Sequence, residues 1–274
     1  MSTPREPLER IADALERIAP AVTPPTDWAG APAYIWDREA ARAVSEPDTL
    51  PLVTLRGIDE QKAAVRENLS RLASGTAAHD MLLWGARGMG KSALVRSVVA
   101  NIQSTDPGAI ALVQLAPGTL GSFPALIEQL SDQHRAFLLF IDDLGFGADQ
   151  AQDVLALRSL LDGGVMPRPS RIRVAVTSNR RAIVQRDPDE SAALHERDER
   201  DDALALADRF GLTLGFHPCD RATYLEILRA YTDPLGLEIN EEEALAWTIA
   251  RRNRSGRTAY QYAAELAGRA GKAP

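Results

Sequence analysis

Residues 85–92 read GARGMGKS. They follow the apolar run Met81-Leu82-Leu83-Trp84 and precede Ala93-Leu94-Val95-Arg96-Ser97-Val98-Val99. A strand-like stretch, a glycine-rich turn and a helix-like stretch therefore stand in a row. The eight residues fit the pattern G-x-x-x-x-G-K-[ST]. Glycines at 85, 88 and 90 let the main chain curl. Successive N–H groups, from Gly85 through Ala86, Arg87, Gly88, Met89, Gly90, Lys91 and Ser92 to Ala93, can then point inward at phosphate oxygens. The helix that follows adds its positive end. Lys91 reaches the outer phosphates as a point charge, and the Ser92 hydroxyl is a candidate Mg²⁺ ligand.

Outward from the loop, four more apolar runs suit buried strands: AIALVQL at 109–115, AFLLFI at 136–141, RIRVAVTS at 171–178 and LTLGF at 212–216. Helix-like segments at 92–103, 122–133 and 151–161 separate most of them, and DEQKAAVRENLSRLA at 59–73 suits a helix with Asp59 near its start. Continuous apolar strands alternating with helices predict a five-stranded parallel sheet covered on both faces. From 218 onward there is no convincing strand, and helices fit at 220–231, 241–252 and 257–270. The expected division is an N-terminal helix and linker at 1–50, an α/β domain at 51–217 and a small all-helical domain at 218–274.

Within the first segment, Leu8, Ile11, Leu15 and Ile18 recur at helical spacing, which predicts an amphipathic helix over about 5–19. That stripe suits docking on the body of the chain or a partner. Pro20, Pro24, Pro25 and Pro32 follow, with Trp28 and Trp36 among them, and read as a linker or wrapping arm. The acidic run DPDESAALHERDERDD at 187–202 reads as a solvated loop or a regulatory insert.

At 45% apolar residues, 274 residues are enough for a sizeable core. A formal net charge of -7 argues against a large nucleic-acid or anionic-membrane surface. Cys219 is the only cysteine, so no internal disulfide forms and a reducing, cytoplasmic setting is expected. No signal peptide and no run of about 18 apolar residues is present. Four scattered histidines give no metal-ligand spacing.

Two strands end in polar residues. FLLFIDDL at 137–144 places Asp142 to orient the water shell of Mg²⁺ near Ser92, and Asp143 to polarise an attacking water. VAVTSNRR at 174–181 places Asn179 at the carboxyl edge of the sheet, where open α/β sheets bind ligands. It could hold the attacking water or the last phosphate. Arg180 and Arg181 could serve a phosphate or a neighbouring subunit, or simply be solvated.

The loop, FLLFIDDL, TSN, LADRFGLTLGF and the later SGRTA occur in an order that resembles an AAA+ ATPase. In particular the chain is similar, over about 50–270, to an uncharacterised bacterial family of predicted AAA+ ATP-binding proteins known only as a domain of unknown function. The resemblance implies ATP and Mg²⁺ as ligands and makes the helical tail a lid. It implies an adenine pocket lined from LRGIDEQ, with Gly57 and Ile58. It matches residues 85–92 to Walker A, Asp142 to the Walker B metal residue and Asp143 to the catalytic acidic position, where glutamate is the commoner residue. Asn179 matches sensor 1, Arg209 the arginine finger and Arg257 sensor 2. A finger aimed at the next subunit's nucleotide implies a homo-oligomer.

The expected function is an ATPase that hydrolyses ATP slowly and uses lid motion to remodel or load an unidentified protein client. The alternatives are a nucleic-acid-associated loader or initiator, favoured by the DDL segment and disfavoured by the acidic balance, and an ATP-binding switch that does not turn over, favoured by aspartate at 143. A small-molecule kinase fits less well, because that class needs a substrate lid near the phosphates, whereas the helical region here lies at the far C-terminus with the sensor-like Arg257.

Overall fold

The computed structural model describes residues 26–116, 118–145, 151–163, 168–179 and 205–273. The predicted helix over 5–19, the pair Arg180-Arg181 and the acidic run at 187–202 lie outside the described residues.

The strands are β1 Ala33–Asp37, β2 Ala40–Val44, β3 Met81–Gly85, β4 Ile110–Leu115, β5 Ala136–Ile141, β6 Ile172–Ser178 and β7 Leu212–Phe216. The helices are α1 Asp59–Ala73, α2 Lys91–Gln103, α3 Phe123–Ser131, α4 Ala151–Asp162, α5 Arg221–Thr232, α6 Glu241–Ala250 and α7 Gly256–Arg269. One sheet of seven strands runs in the order β2-β1-β4-β5-β6-β3-β7, and every pairing except β1 with β2 is parallel.

Five strands are predicted, and the other two come from the stretch read as a linker. β1 pairs parallel with β4, and β2 turns back against β1 across Arg38-Glu39. The signal is weak for physical reasons. Each strand has only five residues, prolines crowd the approach, and the two-residue turn lacks the Asn-Gly or Asp-Gly that tight hairpins favour. Arg38 itself takes the left-handed conformation, with φ +60°. Trp28, Tyr34 and Trp36 are buried against Phe137, so the aromatics of this segment belong to the core.

Alternation along the buried strands splits that core into two layers. Leu82 and Trp84, with Phe137, Leu139 and Ile141, face the layer closed by α3 and α4. Met81 and Leu83, with Leu138 and Phe140, face the layer closed by α1 and α2. A central strand buried on both sides explains why MLLW and AFLLFI show no polar alternation. After β7, helices α5, α6 and α7 bury Tyr224, Leu228, Ala244 and Tyr262 in a cluster of their own. Each helix starts on a side-chain cap. Asp220 accepts from the Thr223 N–H at 2.8 Å, Asn240 from those of Glu242 and Glu243, and Ser255 forms a capping box with Thr258.

Gly85 closes β3 with φ +121°, and a Cβ there would stand 2.1 Å from the Phe216 carbonyl oxygen. That carbonyl accepts the Ala86 N–H at 2.8 Å, so neither strand can yield. Gly85→Ala is expected to destabilise the fold by about 2–4 kcal/mol. The check is a lowered denaturation midpoint at unchanged slope.

Candidate nucleotide-binding site

The carboxyl ends of β3, β5 and β6 open into one cleft of about 490 Å³. Gly88 to Ala93 of the loop, Asp142 and Asp143 after β5, Thr177 of β6 and Asn179 just after it, and Arg257 at the start of α7 all line it. These groups come from segments far apart in the chain, brought together by the sheet order and by the seat of α7 on Gly88.

Lys91 is 6% exposed. Its ammonium donates to the Gly85 carbonyl at 3.0 Å, the Ala86 carbonyl at 2.9 Å and Asn179 Oδ1 at 2.9 Å. All three ammonium protons are therefore engaged. Burial pushes its pKa down from 10.5 to about 8, the nearby Asp143 and Asp142 resist, and Arg257 and Arg87 add to the lowering. The protonated form is the one an anion would bind. Affinity for a triphosphate is therefore expected to fall about tenfold per pH unit above 8, until the pKa of the complex is reached. The linkage to folding has the opposite sign. Between 8 and 10.5 the unfolded chain holds this proton and the folded chain has lost it, so stability rises with pH there. Calorimetric titrations from pH 7 to 9.5 check the first effect, and Lys91→Arg should flatten it.

The Ser92 hydroxyl donates to Asp142 Oδ1, and the Thr177 hydroxyl donates to the same oxygen at 2.7 Å. Asp143 accepts from the Asn179 amide. A hydroxyl and a carboxylate placed beside a phosphate loop fit Mg²⁺, which takes hard oxygen ligands and keeps phosphate and water in the rest of its shell. Ser92 and Asp142 are the residues that would hold it.

Gly88 meets the helical tail directly. It has φ +77°, and a Cβ there would stand 2.7 Å from Ser255 Oγ and 3.0 Å from Arg257 Cβ. The Gly88 carbonyl accepts the Arg257 N–H at 3.1 Å. The cap of α7 thus rests on the phosphate loop.

The other predicted residues are placed as follows. Ile58 lines the cleft, with Leu55 beside it, and both approach Gly90. Gly57 does not line it. Its φ is +72°, and it packs so close to α5 that a Cβ would lie 2.2 Å from Thr223 Cγ2. Met89 is buried at the loop, while Arg87 points to solvent and does not line the cleft. Arg209 is not in the cleft either. It lies three residues before β7, at the opposite end of the strands, where it pairs with Asp162 and lines a second cleft with His79, Arg168 and Arg173.

Sequence reading missed Thr177, Arg96, Tyr231 and Tyr260 as cleft residues. Strand alternation puts Thr177 on the same side as Asn179, and helical spacing puts Arg96 one turn beyond Ser92, so both carried a signal. Tyr231 and Tyr260 sit on separate helices and meet edge to face, with centroids 5.4 Å apart. Nothing local in the sequence connects them.

A family model described as Protein of unknown function (DUF815) matches residues 29–270. The chain belongs to this family. No curated protein sequence matches it. Among solved structures, an Aeropyrum pernix ORC1 protein in complex with DNA is 15% identical, over 81% of this chain and 62% of its own, with a TM-score of 0.56. A RuvB mutant from Thermotoga maritima is 18% identical over 76% of this chain and 62% of its own, at 0.47. The FIGL-1 AAA domain in complex with ADP is 15% identical over 74% and 68%, at 0.46. The chain thus spans a little under two thirds of the ORC1 and RuvB chains. Identity this low speaks to fold alone. The chain shares the overall fold of the ORC1 protein, and in this DUF815 chain the sheet carries the edge hairpin β1–β2. No described helix is long and apolar enough to cross a membrane.

Proposed function

We propose that this DUF815 protein is a Mg²⁺-dependent ATPase whose helical tail acts as a lid, and that it works as a head-to-tail oligomer on a macromolecular client. The observation that carries the reading is the chain of contacts from Lys91 through Asn179 to Asp143, with Arg257 across the same cleft. It joins a phosphate-binding cation to a carboxylate suited to polarising water, and it places a second cation on a separate helical unit.

In this reading the loop N–H groups and Lys91 hold the β- and γ-phosphates, and Mg²⁺, when bound, would supply further positive charge beside them. Ser92 and Asp142 are the residues that would hold it. Asp143 takes a hydrogen bond from the attacking water, and Asn179 fixes the direction of that carboxylate. Arg257 adds positive charge when α7 lies against the loop. The seat of Ser255 and Arg257 on Gly88 lets the state of the phosphates set the angle of α5–α7.

Phosphate release from purified protein, compared with that from Lys91→Ala, tests the reading. Release by the first alone supports it. Equal background from both ends it, and tight ATP binding without release over hours leaves the non-hydrolysing switch. One observation favours the loader alternative. Arg251 and Arg252, exposed at the α6–α7 turn, form no ion pair with another described residue. Binding to single-stranded or duplex DNA that weakens with salt supports that version, and no retention at low salt removes it.

A further inference from the structure

We infer that the Thr177 hydroxyl is the positioning group of the acidic pair. It holds Asp143 in a left-handed turn and sets the Asp142 carboxylate, and that turn is why aspartate stands at this position. The inference rests on the ATPase function proposed for the cleft.

Thr177 is 1% exposed. Its Oγ1 donates to Asp142 Oδ1 at 2.7 Å and accepts the Asp143 N–H at 2.8 Å. Its carbonyl accepts the next N–H, that of Leu144, also at 2.8 Å. One residue of β6 thus takes two successive backbone donors from the chain leaving β5. The regular parallel ladder ends with Ile141 opposite Val176. Beyond it, both donors reach Thr177 with the main chain turned left-handed at Asp143, where φ is +58°. Leu144 is then tied down by the Ser178 hydroxyl, which donates to its carbonyl at 2.9 Å.

Side-chain chemistry decides which residue suits that turn. Aspartate and asparagine tolerate the left-handed region better than longer side chains do, because a short polar group can bond locally. From the turn, the Asp143 carboxylate meets the Asn179 amide, and Asn179 Oδ1 meets Lys91 at 2.9 Å. Glutamate would add a methylene, about 1.5 Å, and drive the carboxylate past that amide. The backbone thus supplies the reach that aspartate lacks. On the other side of the hydroxyl, two donors on Asp142 Oδ1 (Ser92 and Thr177) fix the carboxylate's rotation. The direction of its second oxygen is fixed with it.

Thr177→Val keeps the shape and removes the hydroxyl, whereas Thr177→Ser keeps the hydroxyl. ATP affinity is measured calorimetrically with magnesium and with a chelator. Valine is expected to cut the magnesium-dependent gain in affinity about tenfold, leave chelator affinity within about twofold, and be rescued by serine. In phosphate release, Asp143→Glu is expected to be slower than the wild-type chain. Valine behaving as wild type, serine failing as valine does, or a faster Asp143→Glu would each overturn the assignment. If the wild-type chain binds no ATP, the proposed function fails, and chemical denaturation decides the Thr177 assignment by itself. Asp143→Gly should then match the wild type while Asp143→Ala is less stable, with the difference shrinking in a Thr177→Val background. No difference between glycine and alanine overturns it.

Discussion

Lys91→Ala is expected to weaken Mg-ATP binding on the order of a hundredfold or more while leaving the chain folded. The loss is large because the lysine is buried and its partner would carry several negative charges. Removing one member of a desolvated charge pair leaves the other without compensation, which surface pairs never do. The fold should tolerate the change. In the free protein the ammonium is bound to two loop carbonyls and to Asn179, and Lys91 and Asn179 both line an open cleft that water can enter. Burial already penalises its charge, as the lowered pKa records. Isothermal titration gives the affinity, and a denaturation curve on the same samples gives the stability. Lys91→Met, similar in length and uncharged, separates the charge from the volume it fills. Undiminished binding in both variants would place the nucleotide elsewhere on the molecule and remove the basis of the proposed function.

How much of this was legible in the sequence depends on how local each signal is. The strands β3, β4, β5, β6 and β7 are continuous apolar runs bounded by loops, and their limits can be read to within a residue. The phosphate loop is eight consecutive residues, so its chemistry is visible before any fold is known. The hairpin β1–β2 was not visible. A five-residue edge strand derives its stability from the neighbour it pairs with, here β4, and its turn uses Arg38 against propensity. Gly57 went to the wrong place for a similar reason. The resemblance of LRGIDEQ to an adenine-pocket segment implies a ligand contact there, whereas the left-handed backbone and missing side chain of Gly57 accommodate Thr223 of α5. Thr177 lies inside the TSN motif, but its role is hidden there because it bonds two carboxylate-bearing residues that follow another strand. The aromatic pair Tyr231 and Tyr260 depends on how α5 packs on α7, which periodicity cannot supply.

Arg209→Ala is expected to leave ATP affinity within about twofold and to slow phosphate release on the order of a thousandfold. The geometry makes the first half of that statement independent of the second. Arg209 precedes β7, whereas the phosphate loop is held at the far end of that strand through the Phe216 carbonyl. Five residues of strand place the two roughly 15 Å apart. An arginine so placed cannot touch a nucleotide in its own cleft. It can act only if a second copy docks its cleft against this end of the sheet, so the assembly must be head to tail. In the single chain the guanidinium is engaged by Asp162 and by the Ala205 carbonyl, and docking must compete with that pair. Mixing tests the arrangement. Lys91→Ala subunits keep Arg209 and bind nucleotide too weakly to be loaded at moderate ATP, and Arg209→Ala subunits bind nucleotide and lack the finger. Combined in equal amounts, two inactive proteins should regain a fraction of the wild-type rate, because a Lys91→Ala subunit presents its arginine to a loaded neighbour. A drop in affinity with Arg209→Ala would mean that the residue acts within its own chain. An unchanged rate would mean that the pair with Asp162 is structural, and the head-to-tail oligomer would lose its support.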